Sequence, residues 1–213
     1  MRRDEVEEKI DMVADFISEA KRVVVFTGAG ISTESGIPDF RGPGGIWSRF
    51  DPDDFTIDKF LYSAETRRKQ WKLLLEGGLF ADAEPNKAHL AVAELERLGK
   101  LVCVITQNID NLHQKAGNDP EKVYELHGSM NWIVCLGCCA RYPLRDVLDR
   151  NKTNSDVPAC EHCQGILKPD VIFFGENLSQ RTLNDATRDA SSCDLLIVIG
   201  SSLVVYPAAY LPM

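Results

Sequence analysis

Five short apolar runs, each closing on a polar or glycine-bearing motif, constrain this chain more than any other feature. The first, Arg22-Val-Val-Val-Phe-Thr27, is continuous and stops at Gly28-Ala-Gly30. A run without alternation is how a strand buried on both faces of a parallel sheet reads. Leu101–Ile105 leads into Thr106-Gln-Asn-Ile-Asp110, and Val123-Tyr-Glu-Leu-His127 into Gly128. Val171-Ile-Phe-Phe174 leads into Gly175-Glu176, and Asp194–Ile199 into Gly200-Ser-Ser202. Between these runs lie helical patterns. Val6, Ile10, Val13 and Ile17 recur at helical spacing, residues 57–78 close on Gly77-Gly78, and Asn86–Leu98 stops at Gly99, with a further helix over 179–192. Strands alternating with helices predict an α/β fold on a parallel sheet. Ligands of such sheets gather at the carboxyl ends of the strands, where the polar motifs sit.

Residues 133–168 interrupt the alternation and carry Cys135-x-x-Cys138 and Cys160-x-x-Cys163. The mixed-charge start, Met1 to Glu8, lacks an apolar signal core, so a soluble, cytoplasmic protein is expected. In a reducing compartment paired CxxC motifs mean metal rather than disulfides. Cys135, Cys138, Cys160 and Cys163 have the spacing of a four-thiolate zinc site, which is closed to water and therefore structural. Cys139 offers a second register, but the CxxC spacing favours Cys138. His162 could replace a cysteine, though four thiolates suffice. The stretch reads as a small module inserted between the third and fourth strands.

Lys and Arg number 24 against 32 Asp and Glu, a formal net charge of -8. That balance argues against gripping a nucleic-acid backbone, and no apolar run reaches membrane-spanning length. Gly28, Ala29, Gly30 and Ser32 form a loop whose amides could face a phosphate. It reads equally well as a tight turn. A third glycine is missing at Thr33, and no acidic residue ends a second strand to hold a ribose, which disfavours an ordinary dehydrogenase. Residues 34–56, rich in Gly, Pro and Asp, form a loop long enough to imply function. Within it Phe40 could cover a planar base and Arg41 pair with a pyrophosphate, beside Asp39. Gln107, Asn108 and Asp110 can read ribose hydroxyls or a carboxamide, or form a simple Asn/Asp turn. His127 alone is more often a structural hydrogen-bonder. Among these neighbours it becomes a base for a ribose hydroxyl. His113 reads as structural, and His89 receives no role.

Together the motifs resemble the sirtuin family. Gly28-Ala-Gly-Ile-Ser32 with Gly36-Ile-Pro-Asp-Phe-Arg41 looks like its NAD loop, and Thr106-Gln-Asn-Ile-Asp-Asn-Leu-His113 with Ala116-Gly117 like its second motif. Leu126-His127-Gly128, the two CxxC pairs, Pro169-Asp-Val-Ile-Phe-Phe-Gly-Glu176 and Gly200-Ser-Ser202 complete the set in family order. The resemblance implies a Rossmann-like parallel sheet with helices on both faces. Residues 1–130 and 169–213 would form this NAD-binding domain, with a small zinc-ribbon domain at 131–168 and a cofactor-binding loop at 34–56. NAD, consumed as a co-substrate, would meet Gly28, Ala29, Gly30, Ser32, Asp39, Phe40 and Arg41. Gln107 and Asn108 would hold the nicotinamide-side ribose, Ile109 and Asp110 the nicotinamide amide, and Gly200, Ser201 and Ser202 the adenosine side. Ile172 and Phe174 would line an acyl-lysine tunnel. Gly175, Glu176, Leu203 and Val204 would offer backbone edges to an acylated peptide. His127, with Asn108, would be catalytic.

The implied activity is protein-lysine deacetylation, transferring the acyl group to ADP-ribose and releasing nicotinamide. One structural zinc would stay outside the chemistry. The succinyl- and malonyl-preferring members carry a Tyr-x-x-Arg pair; Trp71-Lys-Leu-Leu74 stands in that region here, so uncharged acyl groups are expected. The family continues past the point matching Met213, which implies an incomplete domain, an unpaired sheet edge and weak NAD binding by these 213 residues. Protein ADP-ribosyl transfer and non-catalytic NAD or peptide binding are the alternatives.

Overall fold

A computed structural model describes residues 3–76, 83–151 and 157–213. Gly77-Gly78, expected to close a helix, lie outside the described residues. Every residue of β1, Val23–Thr27, is buried, as its unbroken apolar run requires. It pairs in parallel with β2, Leu101–Thr106, on one side and with β7, Leu195–Ile199, on the other. β3, Val123–Glu125, joins the far edge of β2, giving the order β3-β2-β1-β7.

Successive β1 side chains enter opposite layers. Val23 and Val25 pack with Val92 and Leu95 of the helix α4, Lys87–Arg97. Val24 and Phe26 pack with Ala186 and Ala190 of the helix α7, Gln180–Ser191. Helices therefore cover both faces. The start of α4 is set by Asn86, whose side chain accepts from Ala88 N and His89 N while His89 Nδ1 accepts from Asn86 N. This reciprocal cap satisfies amides that would otherwise be orphaned. The Asn86 Nδ2 also donates to Ile31 O at 2.7 Å, tying α4 to the loop after β1. The N-terminal helix α1, Arg3–Glu19, forms as its spacing predicts, but none of its residues is buried. Two short helices complete this part: α2, Ile57–Tyr62, which buries Phe60, and α5, Leu112–Ala116, which buries Leu112 and His113.

The second sheet is antiparallel, in the order β5-β4-β6, from β4 (Gly128–Cys135), β5 (Arg141–Pro143) and β6 (Leu167–Val171). Its core is Ile133, Cys135, Cys160, Leu167 and Val147, the last from the helix α6, Leu144–Asn151. Trp71 of the helix α3, Ala64–Leu75, seals the same cluster. The residues between 133 and 168 show little periodicity, so this sheet is not foreseen from the sequence.

It also corrects the fourth strand. Val171 ends β6 in the antiparallel sheet, and Phe174 makes only an isolated bridge to Thr56. The run Val171–Phe174 is not doubly buried: Val171 and Phe173 are covered, while Phe174 is 47% exposed. Alternating burial belongs to a one-faced segment, whereas a parallel-sheet centre is buried on both sides. Among the described residues the parallel sheet has four strands, with β7 at an edge.

The β1 and β7 loops meet backbone to backbone. Gly30 N donates to Gly200 O at 2.9 Å, and Gly200 sits at φ 65. A Cβ on Gly200 would lie 2.1 Å from Ile31 N. Gly200→Ala must shift both loops and hold alanine in the left-handed region, at a cost of about 3 kcal/mol or more. Calorimetry should show a melting point lower by roughly 10 °C; an unchanged value would mean that the contact gives way freely.

Candidate functional site

The carboxyl ends of β1, β2, β3 and β7 converge on one set of polar side chains. The loop after β1 is a 3-10 turn, Ala29–Ser35, which buries Ser32. Ser32 Oγ donates to Asp110 Oδ2 at 2.7 Å, so its lone pairs face Asn108 Nδ2 at 3.1 Å. Asn108 Nδ2 also reaches Gly28 O at 3.3 Å. The Asn108 amide nitrogen is thereby assigned to the protein, and its oxygen remains as an acceptor for a ligand. Asp110 is held in turn by Leu112 N, which donates to Oδ1 at 3.0 Å.

Gln107 connects the other two strand ends. Its side-chain Nε2 donates to Ser201 Oγ at 2.8 Å, and its backbone oxygen lies 2.9 Å from His127 Nδ1. A carbonyl only accepts, so Nδ1 carries the proton and Nε2 holds the free lone pair of the neutral ring. Burial, the larger influence, pushes the His127 pKa down from 6.5, against the opposing pull of Gln107 O. A neutral imidazole with Nε2 unprotonated is a base ready to act at pH 7. Because protonation removes that base, activity is lost as pH falls, and the acid limb of kcat/KM should have its midpoint below 6.5. A midpoint above that value in a pH–rate profile would contradict this environment for His127.

Beneath the site Thr27 Oγ1 donates to Thr106 Oγ1 at 2.8 Å and lies 3.1 Å from His113 Nε2. Thr106 Oγ1 accepts from Asn108 N at 3.0 Å, so this buried chain supports the Asn108 loop from below. Burial, with a smaller push from His89, holds His113 down at about 3, and the ring stays neutral. His89 packs edge-on against it, with ring centroids 5.0 Å apart. His113 is structural, as its sequence context suggests. His89 has a definite place in the α4 cap and against His113.

The loop at 34–56 folds back on itself. Asp39 Oδ1 accepts from Gly42 N at 2.7 Å, and Asp39 O and Phe40 O accept from Ile46 N and Trp47 N. Trp47 stands at the centre of an aromatic cluster: Phe40 at 5.1 Å, Phe55 at 5.5 Å and Phe174 at 5.9 Å between ring centroids. Sequence reasoning singles out Phe40 and Phe174 but misses Trp47; a tryptophan within a Gly/Pro-rich loop is the available signal. Arg41 is exposed on the same loop, and Ala29 is half-buried in the turn after β1.

The segment after β6 is joined to the same centre. Ile172 N donates to His127 O at 2.8 Å, and Phe174 N to Phe55 O at 3.0 Å. Gly175 turns the chain at φ 90, and Glu176 N donates to Phe173 O. Leu203 N is engaged by Ser201 Oγ at 3.2 Å, and Leu203 packs its side chain into the sheet core. Val204 is exposed, as is Ser202.

The four expected metal ligands form one cluster, with all four Sγ atoms within 4.8 Å of one another. Cys135 and Cys163 are separated by 3.5 Å and Cys138 and Cys160 by 3.6 Å. Tetrahedral bonds of about 2.3 Å to zinc would space sulfurs by about 3.8 Å, so the cradle fits one ion. Gly137 N and Cys138 N donate to Cys135 Sγ, as amides do toward a thiolate. A Cβ on Gly165 would lie 3.0 Å from Cys163 Sγ, so glycine is needed to close the cradle. Cys139 is exposed and outside the cluster, which settles the register.

A parallel sheet whose strand ends present a neutral histidine, an oriented carboxamide and a glycine-glycine contact, with a four-thiolate lobe alongside, defines a nucleotide-binding α/β enzyme. Residues 28–207 match the Sir2 family, and the chain belongs to that family. It is 48% identical over 210 residues to the NAD-dependent protein deacylase 2 of Archaeoglobus fulgidus, covering 97% of this chain and 80% of that protein. With the NAD-dependent protein deacetylase of Thermotoga maritima it shares 45% identity over 207 residues, 96% of this chain and 81% of that one. Among solved structures, a Sir2 enzyme superposes with a TM-score of 0.85 at 46% identity, covering 97% of this chain and 81% of the other. A complex described as Sir2, p53 peptide and NAD+ superposes with a TM-score of 0.83 at 42% identity, over 95% and 80% of the two chains.

Proposed function

We propose that this protein is an NAD-dependent protein-lysine deacylase that moves the acyl group from lysine to ADP-ribose and releases nicotinamide. The carrying observation is the His127 tautomer, fixed by Gln107 O with Nε2 left as the base, at the point where four strand ends meet. NAD is the co-substrate, and the four thiolates hold one structural zinc. His127 takes the proton from a ribose hydroxyl, which then accepts the acyl group. Asn108, its amide nitrogen held by Ser32 and Gly28, directs its oxygen toward the nicotinamide-side ribose. Gln107 and Ser201, bonded to each other, bridge the two ribose ends.

Gly28, Ala29, Gly30, Ser32, Asp39, Phe40, Arg41, Ile109, Asp110, Gly200 and Ser202 complete the cofactor contacts in this reading. Ile172 and Phe174 line the acyl tunnel, with Trp47 packed against Phe174. Gly175, Glu176, Leu203 and Val204 flank the peptide. In this reading residues 1–130 and 169–213 belong to the NAD-binding lobe, 131–168 to the zinc lobe and 34–56 to the cofactor loop, with β4 and β6 running across both borders to join the lobes.

Uncharged acyl groups are favoured. Arg67 donates to Phe60 O and Leu61 O at 2.7 and 2.8 Å, so it closes α2 rather than waiting for a carboxylate. Tyr62 is 86% exposed, and Trp71 is buried under the zinc lobe. A related Sir2 structure is described as bound to a propionylated peptide. The acidic balance favours a protein partner over nucleic acid, and no described helix is long and apolar enough to cross a membrane.

Incubation with an acetyl-lysine peptide and NAD, followed by the peptide's mass, tests the reading. Loss of an acetyl group supports it; a gain of ADP-ribose would replace it with protein ADP-ribosyl transfer, and no change with NAD would leave a binder.

A further inference from the structure

We propose that Lys168 is a positioning residue for the acylated peptide, acting through a buried clamp on the segment that follows β6. Lys168 is only 3% exposed, unusual for lysine, which is rarely buried without partners. Its Nζ donates to Val171 O at 2.6 Å and Pro169 O at 3.2 Å, and pairs with Glu176 Oε2 at 2.9 Å. The same ammonium lies 4.4 Å above the Phe173 ring. Glu176 Oε2 in turn accepts from Phe173 N at 2.7 Å.

One cation thus gathers Pro169, Val171, Phe173 and Glu176 into a single folded turn. The outer face of that turn carries the groups on which the proposed peptide site depends. Ile172 N reaches back to His127 O, and Phe174 joins the 34–56 loop through Phe55 O and Trp47. At its other end Lys168 lies on β6 opposite Val134, next to the Leu167 and Cys135 pair. The lysine therefore couples the thiolate-held sheet to the tunnel wall. Lys168 is buried and its ammonium is taken up by Pro169 O, Val171 O and Glu176, so it acts by placing others. A hydrophobic replacement leaves Glu176 without its cation and the carbonyls of Pro169 and Val171 without their donor.

The inference rests on the deacylase reading, and the measurements below separate the two. In Lys168→Met the KM for an acetyl-lysine peptide should rise by about tenfold or more, while the KM for NAD stays within about twofold of the parent. Zinc per chain should remain one, since no cluster sulfur is altered. Lys168→Arg, which restores a buried donor, should recover most of the loss. Glu176→Gln should reproduce the peptide effect, and the double variant should be no worse than either single one. Should Lys168→Met not fold, Lys168→Gln, which keeps a buried donor without the charge, decides the matter by the same two KM values. A folded variant with an unchanged peptide KM, or one whose kcat alone falls as if part of the sample were unfolded, overturns the proposal. Absence of any acyl loss in the parent enzyme would instead defeat the deacylase reading.

Discussion

Replacing His127 with alanine should lower kcat/KM toward an acetyl-lysine peptide by about 100- to 10,000-fold, the range of a lost general base. The reason lies in the single hydrogen bond from Nδ1 to Gln107 O, which leaves Nε2 unprotonated at the strand ends. Alanine removes the base and also leaves Gln107 O without that donor, at a cost of about 1 kcal/mol. The fold should survive, because the ring is only half-buried and the apolar core is packed by other residues. Binding of NAD should change little, since the carboxamides of Gln107 and Asn108 keep their own anchors on Ser201 and Ser32. Steady-state kinetics beside isothermal calorimetry will separate the two quantities. A variant that turns over peptide at the parent rate would remove His127 from the mechanism.

Cys160→Ser should have the larger effect on structure. Cys160 is fully buried within the cluster that holds Ile133, Leu167, Val147 and Trp71 together. Its sulfur also lies 3.1 Å from Tyr142 Oη. A hydroxyl at this position is a poor ligand at neutral pH, and the remaining three thiolates bind zinc far more weakly. Structural zinc contributes on the order of 10 kcal/mol in small domains, so its loss exceeds what the small lobe can supply by packing alone. Zinc by elemental analysis should fall from one per chain to a small fraction. The melting point should drop by about 10 °C or more. Peptide affinity should fall as well, because β4 runs from the zinc ligand Cys135 back to Gly128, next to His127. Parent-like melting in a zinc-free variant would show that the thiolates do not hold this lobe.

Much of this is legible in the chain because its local and global signals agree. The unbroken run Val23–Phe26 means burial on both faces, and the sheet places those residues in two opposed layers. The CxxC spacing fixes four sulfurs on two turns, and they meet within one ion's reach. Val171–Phe174 misleads because four apolar letters do not distinguish a doubly buried strand from one whose faces differ. Phe173 packs inward on Phe60, while Phe174 faces Trp47. The antiparallel sheet is hidden by short strands and by the polar loops that carry the thiolates. Lys168 is invisible for another reason. A lysine beside a proline reads as surface, and only the fold brings Glu176 and two carbonyls around it. Gly200 likewise shows its need for glycine only when Ile31 is seen against it.

Following the acyl group itself probes the whole scheme in one assay. With an isotopically labelled acetyl-lysine peptide and NAD, the label should appear on ADP-ribose, in amounts equal to the nicotinamide set free. Labelled free acetate as the first product, or deacetylation that needs no NAD, would contradict transfer to a nucleotide sugar beside His127.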